Sequence, residues 1–525
     1  MKRLLKIVSF GCIGVLVTVL IATTLIENVY GPSFAVGQIY HSPWFIALWA
    51  LLAVTAMGYI MYTAKRPSLV LLHASLLVVL LGAFVSFLTS KRGDIAIAEN
   101  GAPASMFEMS DGTLQKLPYR MQLADVDTVY SDNGAVTGYS ASIIADTVLH
   151  TVSLNVPAKI KGYQFCIKSV DNGNLSLLVS HDPIGRPISY LGYAMVFISF
   201  LLLFFDRKSG FNALLQQVKA AGKREQRKSL LLLCRAGAGS STRSVVKGAN
   251  GNVKAAGKRE QRKSLLLLCR AEAGSSTRSA VKAESGKVKT ENGKVKAESG
   301  KLVSTSFYLL VLSVFLCILW YCRGVFPAAS GAEALLLLAV ALTLLVFALR
   351  RMGQFVLLRK VLLVVAGIVA LIAIVGFEWD SEVQPILRTP LLGVHVTTII
   401  IAYALLAGAA VNALIALFTK DEKRRTQQTL LGRLLLYPAT MLLASGIFIG
   451  AVWANLSWGR YWGWDPKEVW ALVTLLVCSI GFHSHSLRFI SKPKAFHIFC
   501  IVAFLAVLFT YFGVSYLLGG LHSYA

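Results

Sequence analysis

Charge is scarce in this chain. Asp, Glu, Lys and Arg make up only 15% of its 525 residues, whereas 55% are hydrophobic. A water-soluble protein carries about 25% charged residues, which excludes a single soluble enzyme. Acidic residues are scarcer still, 26 against 52 basic ones. The imbalance is local: residues 206–301 hold 23 Lys/Arg and 7 Asp/Glu, or +16 of the net +26. Most of the remaining basic residues lie in short loops, where they report membrane orientation and give no nucleic-acid footprint. The eight cysteines form no CxxC pair and no CxxCH. The chain therefore offers no disulfide framework, no thiol-redox motif and no c-type haem attachment site of its own.

Apolar runs near 20 residues are abundant, which is the length needed to cross a bilayer. Eleven spans are predicted, at 7–26, 43–63, 68–90, 187–205, 304–321, 332–349, 361–377, 394–418, 434–454, 470–487 and 495–518. The first is too long, and too poor in a cleavage site, for a signal peptide, and reads as a retained helix. Lys2, Arg3, Lys6, Lys65, Arg66, Arg350, Arg351, Arg359, Lys360, Lys420, Lys423, Arg424, Arg425, Arg433, Arg488, Lys492 and Lys494 fall on one side of these spans. The other side offers only Arg323, Arg388, Arg460 and Lys467 in its short loops. That bias predicts a cytoplasmic N-terminus and, with eleven spans, an outer C-terminus.

Two segments are not membrane. Residues 91–186 alternate short β-like runs, such as Val152, Leu154 and Val156, with turns at Asp132-Asn133-Gly134 and Asp171-Asn172-Gly173, which predicts a small extracytoplasmic β-rich domain. Residues 206–301 are repetitive. Residues 218–244 recur at 253–279 with one difference, Gly237 against Glu272, and V-K-x-E-x-G-K starts at Val281, Val288 and Val295. A Lys/Ser/Gly background with two Leu-rich runs lacks the buried face of a solenoid and reads as a disordered cytoplasmic linker. The predicted fold class is thus an integral membrane protein, mainly α-helical, with about 11 transmembrane helices. Its segments are 1–90, 91–186, 187–205, 206–301 and 302–525.

Five of nine tryptophans lie between Trp453 and Trp470. An interfacial aromatic belt is spread over many helix ends and needs neither glycine spacers nor Asp-Pro. Dense indoles with Gly459 and Gly463 between them predict a flat apolar platform for a large planar ligand, in an outer loop. Four histidines are informative. His395 and His522 bracket this loop on the outer side, and His73 and His483 lie inside apolar runs near the cytoplasmic charges. His41, His150 and His181 sit in polar stretches, and His485 and His497 at the solvated basic edge. Ionisable groups inside spans are costly and read as functional. Two imidazole pairs suit the axial positions of six-coordinate haem. Zinc or copper would want Cys, Asp or Glu beside the histidines at short spacing. A proton relay would want carboxylates within the spans, where none is expected. Asp465 reads as a loop-fixing residue, with a catalytic role as the weaker alternative.

The stretch Trp458-Gly459-x-Tyr461-Trp462-x-Trp464-Asp465-Pro466-Lys467-Glu468-x-Trp470 resembles the WWD signature of haem-handling proteins in cytochrome c biogenesis. Leu392-x-x-His395-Val396 with Tyr403, and Gly520-Leu521-His522-Ser523-Tyr524, resemble its CcsA branch. Leu71-Leu72-His73 with Gly82, Leu154-Asn155-Val156-Pro157, Gly162-Tyr163-Gln164-Phe165 and Asp182-Pro183 resemble ResB. The whole is similar to a fused system II cytochrome c synthase, except for 206–301, which has no counterpart there. That resemblance implies several things together. His73 and His483 would be transmembrane haem ligands, and His395 and His522 outer ones. Trp458, Gly459, Tyr461, Trp462, Trp464 and Asp465 would contact the haem. Haem b would pass outward through a bacterial inner-membrane protein and join apocytochrome c at CxxCH by thioether bonds, with thiol-reducing proteins and membrane lipid as partners and no nucleic acid. The alternative is a haem exporter whose cargo is attached by another protein.

Overall fold

The computed structural model describes residues 1–63, 66–99, 101–130, 134, 136–171, 173–222, 306–350, 352–378, 383–484 and 487–518. Among these, ten helices are long and apolar enough to cross a membrane. The N-terminal part supplies α1 (Lys2–Tyr30), α2 (Pro43–Thr63), α3 (Pro67–Thr89) and α4 (Gly185–Phe205). Then come α5 (Ser306–Arg323), α6 (Gly331–Leu349), α7 (Val356–Val375), α8 (Pro390–Phe418), α9 (Glu422–Trp458), α10 (Pro466–Phe482) and α11 (Pro493–Leu508). The protein is a multi-pass membrane protein with a β-rich domain.

Proline opens several of these helices at their first position, in α3, α8, α10 and α11. Its fixed φ suits a first turn, and its missing N–H has no partner to lose there. Of the eleven predicted spans, the tenth is the one that falls short. Helix α10 has 17 residues, about 25 Å of rise, against a hydrocarbon core of about 30 Å. Helix α9 departs the other way: predicted at 434–454, it runs for 37 residues, about 55 Å. Its final turns therefore reach the β domain.

That domain is one antiparallel sheet of eight strands in the order β5-β4-β3-β2-β1-β8-β7-β6. The strands are β1 (Lys91–Ala98), β2 (Ala104–Met109), β3 (Leu114–Tyr130), β4 (Val136–Ala145), β5 (Val148–Ser153), β6 (Ala158–Ile160), β7 (Tyr163–Asp171) and β8 (Asn174–His181). Period-two alternation puts Leu117, Tyr119, Met121 and Leu123 of β3 into the same core as Phe107, Phe165 and Leu177. Val152 of β5 and Ile160 of β6 join that core, so the sheet curls until its two end strands share one interior. The hairpin between β6 and β7 turns on Lys161-Gly162, both with positive φ, the left-handed pair that a two-residue turn requires.

The first and last strands of the domain are neighbours, with Lys91 opposite His181. Chain entry from α3 and exit into α4 are thus side by side, and the two helices pack closely. A Cβ on Gly82, Gly185 or Gly192 would lie 2.4, 2.2 or 2.7 Å from Ser189, Ser86 and Val79 respectively. Only hydrogen fits there, a pattern usual where membrane helices touch backbone to backbone.

Three sequence expectations need correction. The linker was expected to be disordered over 206–301, yet 210–222 is helical; residues 223–301 lie outside the described residues. Asp206 accepts the Lys208 N–H at 2.9 Å, Val218 is 1% exposed, and Phe211 faces Tyr437 of α9 at 6.4 Å. The apolar face Phe211, Leu214, Val218 was hidden in the Lys-rich background. Carboxylates were expected to be absent from the spans, yet α1 extends far enough to hold Glu27, and Glu333, inside the predicted span 332–349, stands in the first turn of α6. Glu333 is 1% exposed; it accepts the Ala329 and Ser330 N–H groups at 2.8 and 3.0 Å and pairs with Arg323 at 3.2 Å, which fits a helix N-terminus. His497, expected in solvent, is fully buried, with Nε2 3.0 Å from Thr429 Oγ1.

Candidate functional site

The tryptophan-rich stretch is two helix ends and a short turn, not one loop. Trp453 and Trp458 belong to α9, which stops at Gly459 in left-handed conformation (φ +70°), its N–H on the Asn455 carbonyl at 3.1 Å. Glycine carries that conformation without a Cβ penalty. Helix α10 then starts in a capping box. Asp465 accepts the Lys467 N–H at 3.0 Å, and Glu468 accepts the Gly463 N–H at 2.7 Å and the Asp465 N–H at 3.3 Å. The structural role of Asp465 is therefore the helix cap. Between the two ends Trp464 takes φ +59°, a sparsely populated region for a bulky side chain. A parallel stack on Tyr40, 4.3 Å away with ring planes 9° apart, holds it.

The expected flat platform takes a different form. Trp453 meets Trp458 edge to face at 4.9 Å, and Trp462 meets Trp464 in the same way at 5.8 Å. Trp453 is buried with Leu387 and Leu392, whereas Trp464 and Trp470 pack with Phe45 in a different cluster. Trp470 Nε1 donates to Thr24 Oγ1 at 3.1 Å. Ring quadrupoles favour such edge-to-face pairs over coplanar arrays. Trp458, Trp462 and Trp464 keep partly exposed surface. Tyr461, expected to face the ligand, is 5% exposed and points elsewhere. Its hydroxyl donates to Ser86 Oγ at 2.5 Å; Ser86 donates to Asp182 Oδ2 at 2.6 Å; and Asp182 Oδ1 accepts the Gly185 N–H at 3.0 Å.

Further bonds tie the β domain to the end of α9. Gln164 Nε2 donates to the Asn455 carbonyl at 2.6 Å, and Ser457 Oγ donates to Asn155 Oδ1 at 2.5 Å. Asn155 Nδ2 donates to the Ile386 carbonyl at 2.9 Å, and Cys166 Sγ approaches the Leu456 carbonyl at 3.5 Å. Burial pushes the Cys166 thiol above its ordinary pKa, opposed by Gln164, Arg186 and the Gly459 N–H. The structural parts played by Ser86, Gln164, Arg186 and Asn455 were not read from the sequence. Gln164 and Asp182 stood in conspicuous motifs, but their partners are remote in the chain.

Of the four histidines expected to bind a ligand, three are described; His522 lies outside the described residues. His395, near the start of α8, sets Nδ1 2.7 Å from the Gly446 carbonyl of α9. His73 of α3 sets Nδ1 2.8 Å from the Leu69 carbonyl, and His483 at the end of α10 sets Nδ1 3.2 Å from the Ser479 carbonyl. A carbonyl only accepts, so in each ring Nδ1 carries the proton and Nε2 the lone pair. This is how second-shell carbonyls fix metal-ligating imidazoles. His73 and His483 are electrostatic neighbours, and Phe10 of α1 packs against the His483 ring at 5.2 Å. The fold thus brings together one predicted pair from α3 and α10.

Comparison with known proteins follows the same division. Residues 62–197 match the ResB-like family, and residues 329–522 match the cytochrome C assembly protein family. The chain joins a ResB-like half to a CcsA-like half. It is 35% identical over 154 residues to protein NrfI of Wolinella succinogenes, an alignment covering 28% of this chain and 17% of that protein. It is 34% identical over 224 residues to cytochrome c biogenesis protein CcsA of Chlamydomonas reinhardtii, covering 39% of this chain and 63% of that protein. The CcsA of Pyropia yezoensis is 28% identical over 257 residues, 39% of this chain and 80% of that protein. The chain thus spans less than two thirds of the length of the first two relatives. Within this division, Ser86, Gln164 and Asp182 belong to the ResB-like half and Asn455, Ser457 and Tyr461 to the CcsA-like half. The bonds between them join the two halves.

Proposed function

We propose that this protein carries haem b to the outer side of a bacterial cytoplasmic membrane and attaches it to apocytochrome c at CxxCH. The observation that carries the reading is the shared state of His73, His395 and His483: each directs Nδ1 at a main-chain carbonyl, so that Nε2 is the coordinating nitrogen. Their position in or beside apolar helices, with half-buried indoles between α9 and α10, suits a large planar apolar ligand with a central metal. The names of the relatives, cytochrome c biogenesis proteins, support the same process.

His73 and His483 hold haem at membrane depth in this reading. His395 and His522 hold it at the outer surface, beside Trp458, Trp462 and Trp464. The cytoplasmic N-terminus, outer C-terminus and outer tryptophan-rich turn follow from the basic-residue bias. The attachment step adds each cysteine thiol across a vinyl group: the S–H bond and the C=C π bond break, and an S–C and a C–H bond form. The addition is redox-neutral, but it needs reduced thiols, which separate thiol-reducing proteins supply. Position is the enzyme's main contribution, and holding reactants in register supplies much of the acceleration. The substrate histidine then displaces His395 or His522 and starts release.

The test is the absorption spectrum of the purified protein before and after dithionite, together with maturation of a CxxCH reporter in cells lacking their own system. Split low-spin bands that change in His395→Ala and His522→Ala, with a matured reporter, are the expected results. A haem-free protein from a haem-replete host overturns the reading. Haem without reporter maturation reduces it to export alone.

A further inference from the structure

Three arginines converge where the β domain meets the tryptophan-rich turn. Arg92 of β1 sits opposite Ser180 of β8 in the ladder. Arg186, in the first turn of α4, donates Nη2 to Ser180 Oγ at 2.8 Å and Nη1 to Gln164 Oε1 at 2.6 Å. Arg460 follows Gly459, where a Cβ would lie 3.4 Å from Ser180 Oγ. The Arg460 guanidinium folds over Gly463, with Cζ 2.9 Å from where a Cβ would stand. Ser180 is thus the common neighbour of Arg92, Arg186 and Gly459, the residue before Arg460.

Their charge is poorly answered. Asp182 is the carboxylate that acts on Arg92, but its two oxygens accept from Ser86 and Gly185, and Glu468, beside Arg460, accepts the Gly463 and Asp465 N–H groups. Among the described residues none of the three arginines enters an ion pair. The Nε–H groups of Arg92 and Arg186 are buried and meet no acceptor among the described residues. Burial holds the Arg92 guanidinium below its ordinary pKa; Tyr461 and Asp182 oppose that, and Arg460 and Arg186 add to it. A guanidinium cannot shed its proton in a protein. Clustered, partly buried cations with unmet donors call for an anionic ligand.

We propose that Arg92, Arg186 and Arg460 form a carboxylate-binding site that takes the two propionates of the haem carried beside the tryptophan-rich turn. The proposal rests on the haem reading above. The buried, unanswered Nε–H groups of Arg92 and Arg186 suit an anionic ligand, and the planar fork of arginine suits carboxylate geometry. Because propionates and vinyl groups occupy opposite edges of the porphyrin, anchoring the acids here turns the vinyl edge toward the incoming thiols. The ResB-like half supplies Arg92 and Arg186, so it would contribute directly to haem orientation.

The test titrates the haem-stripped full-length protein, in lipid nanodiscs, with haemin and with haemin dimethyl ester. The proteins are wild type, Arg92→Gln and Arg460→Gln. The expected result is that wild type prefers haemin to the ester by roughly tenfold to a hundredfold, the scale of a charge-assisted hydrogen bond. Each variant loses most of that preference while binding the ester like wild type. Equal wild-type affinity for acid and ester overturns the propionate site, as does equal weakening of both ligands in the variants. Failure of wild type to bind either ligand overturns the haem reading instead.

Discussion

Gln164 Nε2 and the Gly459 N–H share one acceptor, the Asn455 carbonyl, at 2.6 and 3.1 Å. The glycine bond ends α9 and the glutamine bond comes from the β domain, 291 positions away in the chain. The β domain therefore fixes the point at which the tryptophan-rich turn leaves its helix. The same Gln164 accepts from Arg186 through Oε1 at 2.6 Å.

Gln164→Leu removes this joint while keeping a side chain of similar size. It leaves the Arg186 Nη1 donor without its partner, at a cost of about 1–3 kcal/mol, and the Asn455 carbonyl with the Gly459 N–H alone. The expected outcome is normal membrane insertion, a lower melting temperature in detergent and weak reporter maturation. Separately expressed ResB-like and CcsA-like halves should co-purify in the wild-type sequence and lose much of that association with Gln164→Leu. Unchanged co-purification would show that the joint contributes little.

Gly450 leaves room for the His395 ring. A Cβ there would stand 2.5 Å from His395 Cε1 and 2.7 Å from Nδ1, closer than van der Waals contact permits. Gly450→Ala should therefore drive the ring off the Gly446 carbonyl and change the haem spectrum much as His395→Ala does. Gly367→Ala, at a position with nothing within 4 Å, is the matched control and should leave the spectrum alone. Identical spectra for both alanine variants would remove the orienting role of the Gly446 carbonyl.

What the sequence disclosed and what it hid separate along physical lines. Span length and polarity are local properties, and ten of the helices were legible from them. Two positions read as turns between strands were legible too: Gly134 and Gly173 both hold positive φ. The histidines stood out because an imidazole in an apolar run is costly. The orientation of the indoles was illegible, since Tyr40, Phe45 and Thr24 set it from elsewhere in the chain. The Tyr461–Ser86–Asp182 chain was hidden for the same reason: serine in a helix signals nothing until its partner is in place. The helix over 210–222 was missed because its composition spoke for the basic segment that follows.

Cys166 offers a pH-dependent reading of the joint between the halves. Its thiol pKa is raised from an ordinary value of 9.0, chiefly by burial. A raised thiol pKa means the folded state favours the neutral form. The associated stability is complete below the unfolded value near pH 9 and is lost as pH rises through the folded value. Iodoacetamide at pH 9 should therefore label Cys166 far more slowly in the folded protein than in urea. Gln164→Leu, which opens the joint, should speed the folded-state reaction. Equal labelling of folded and unfolded protein would show that the thiol is not buried in this contact.

Asp465 separates a structural from a chemical role for the Asp-Pro pair of the turn. Its side chain accepts the Lys467 N–H at 3.0 Å while Glu468 closes the box from the other side. Asparagine caps a helix about as well as aspartate, whereas alanine costs about 0.5–2 kcal/mol. If capping is its main contribution, Asp465→Asn should mature the reporter at near wild-type level. Asp465→Ala should lower both melting temperature and reporter yield, because the Trp464 conformation and the start of α10 loosen together. A carboxylate that moves a proton during thioether formation predicts the opposite ranking: Asn and Ala would fail alike, with the Asn variant fully stable. Reporter yield and melting temperature measured on both variants therefore decide between a cap and a catalyst.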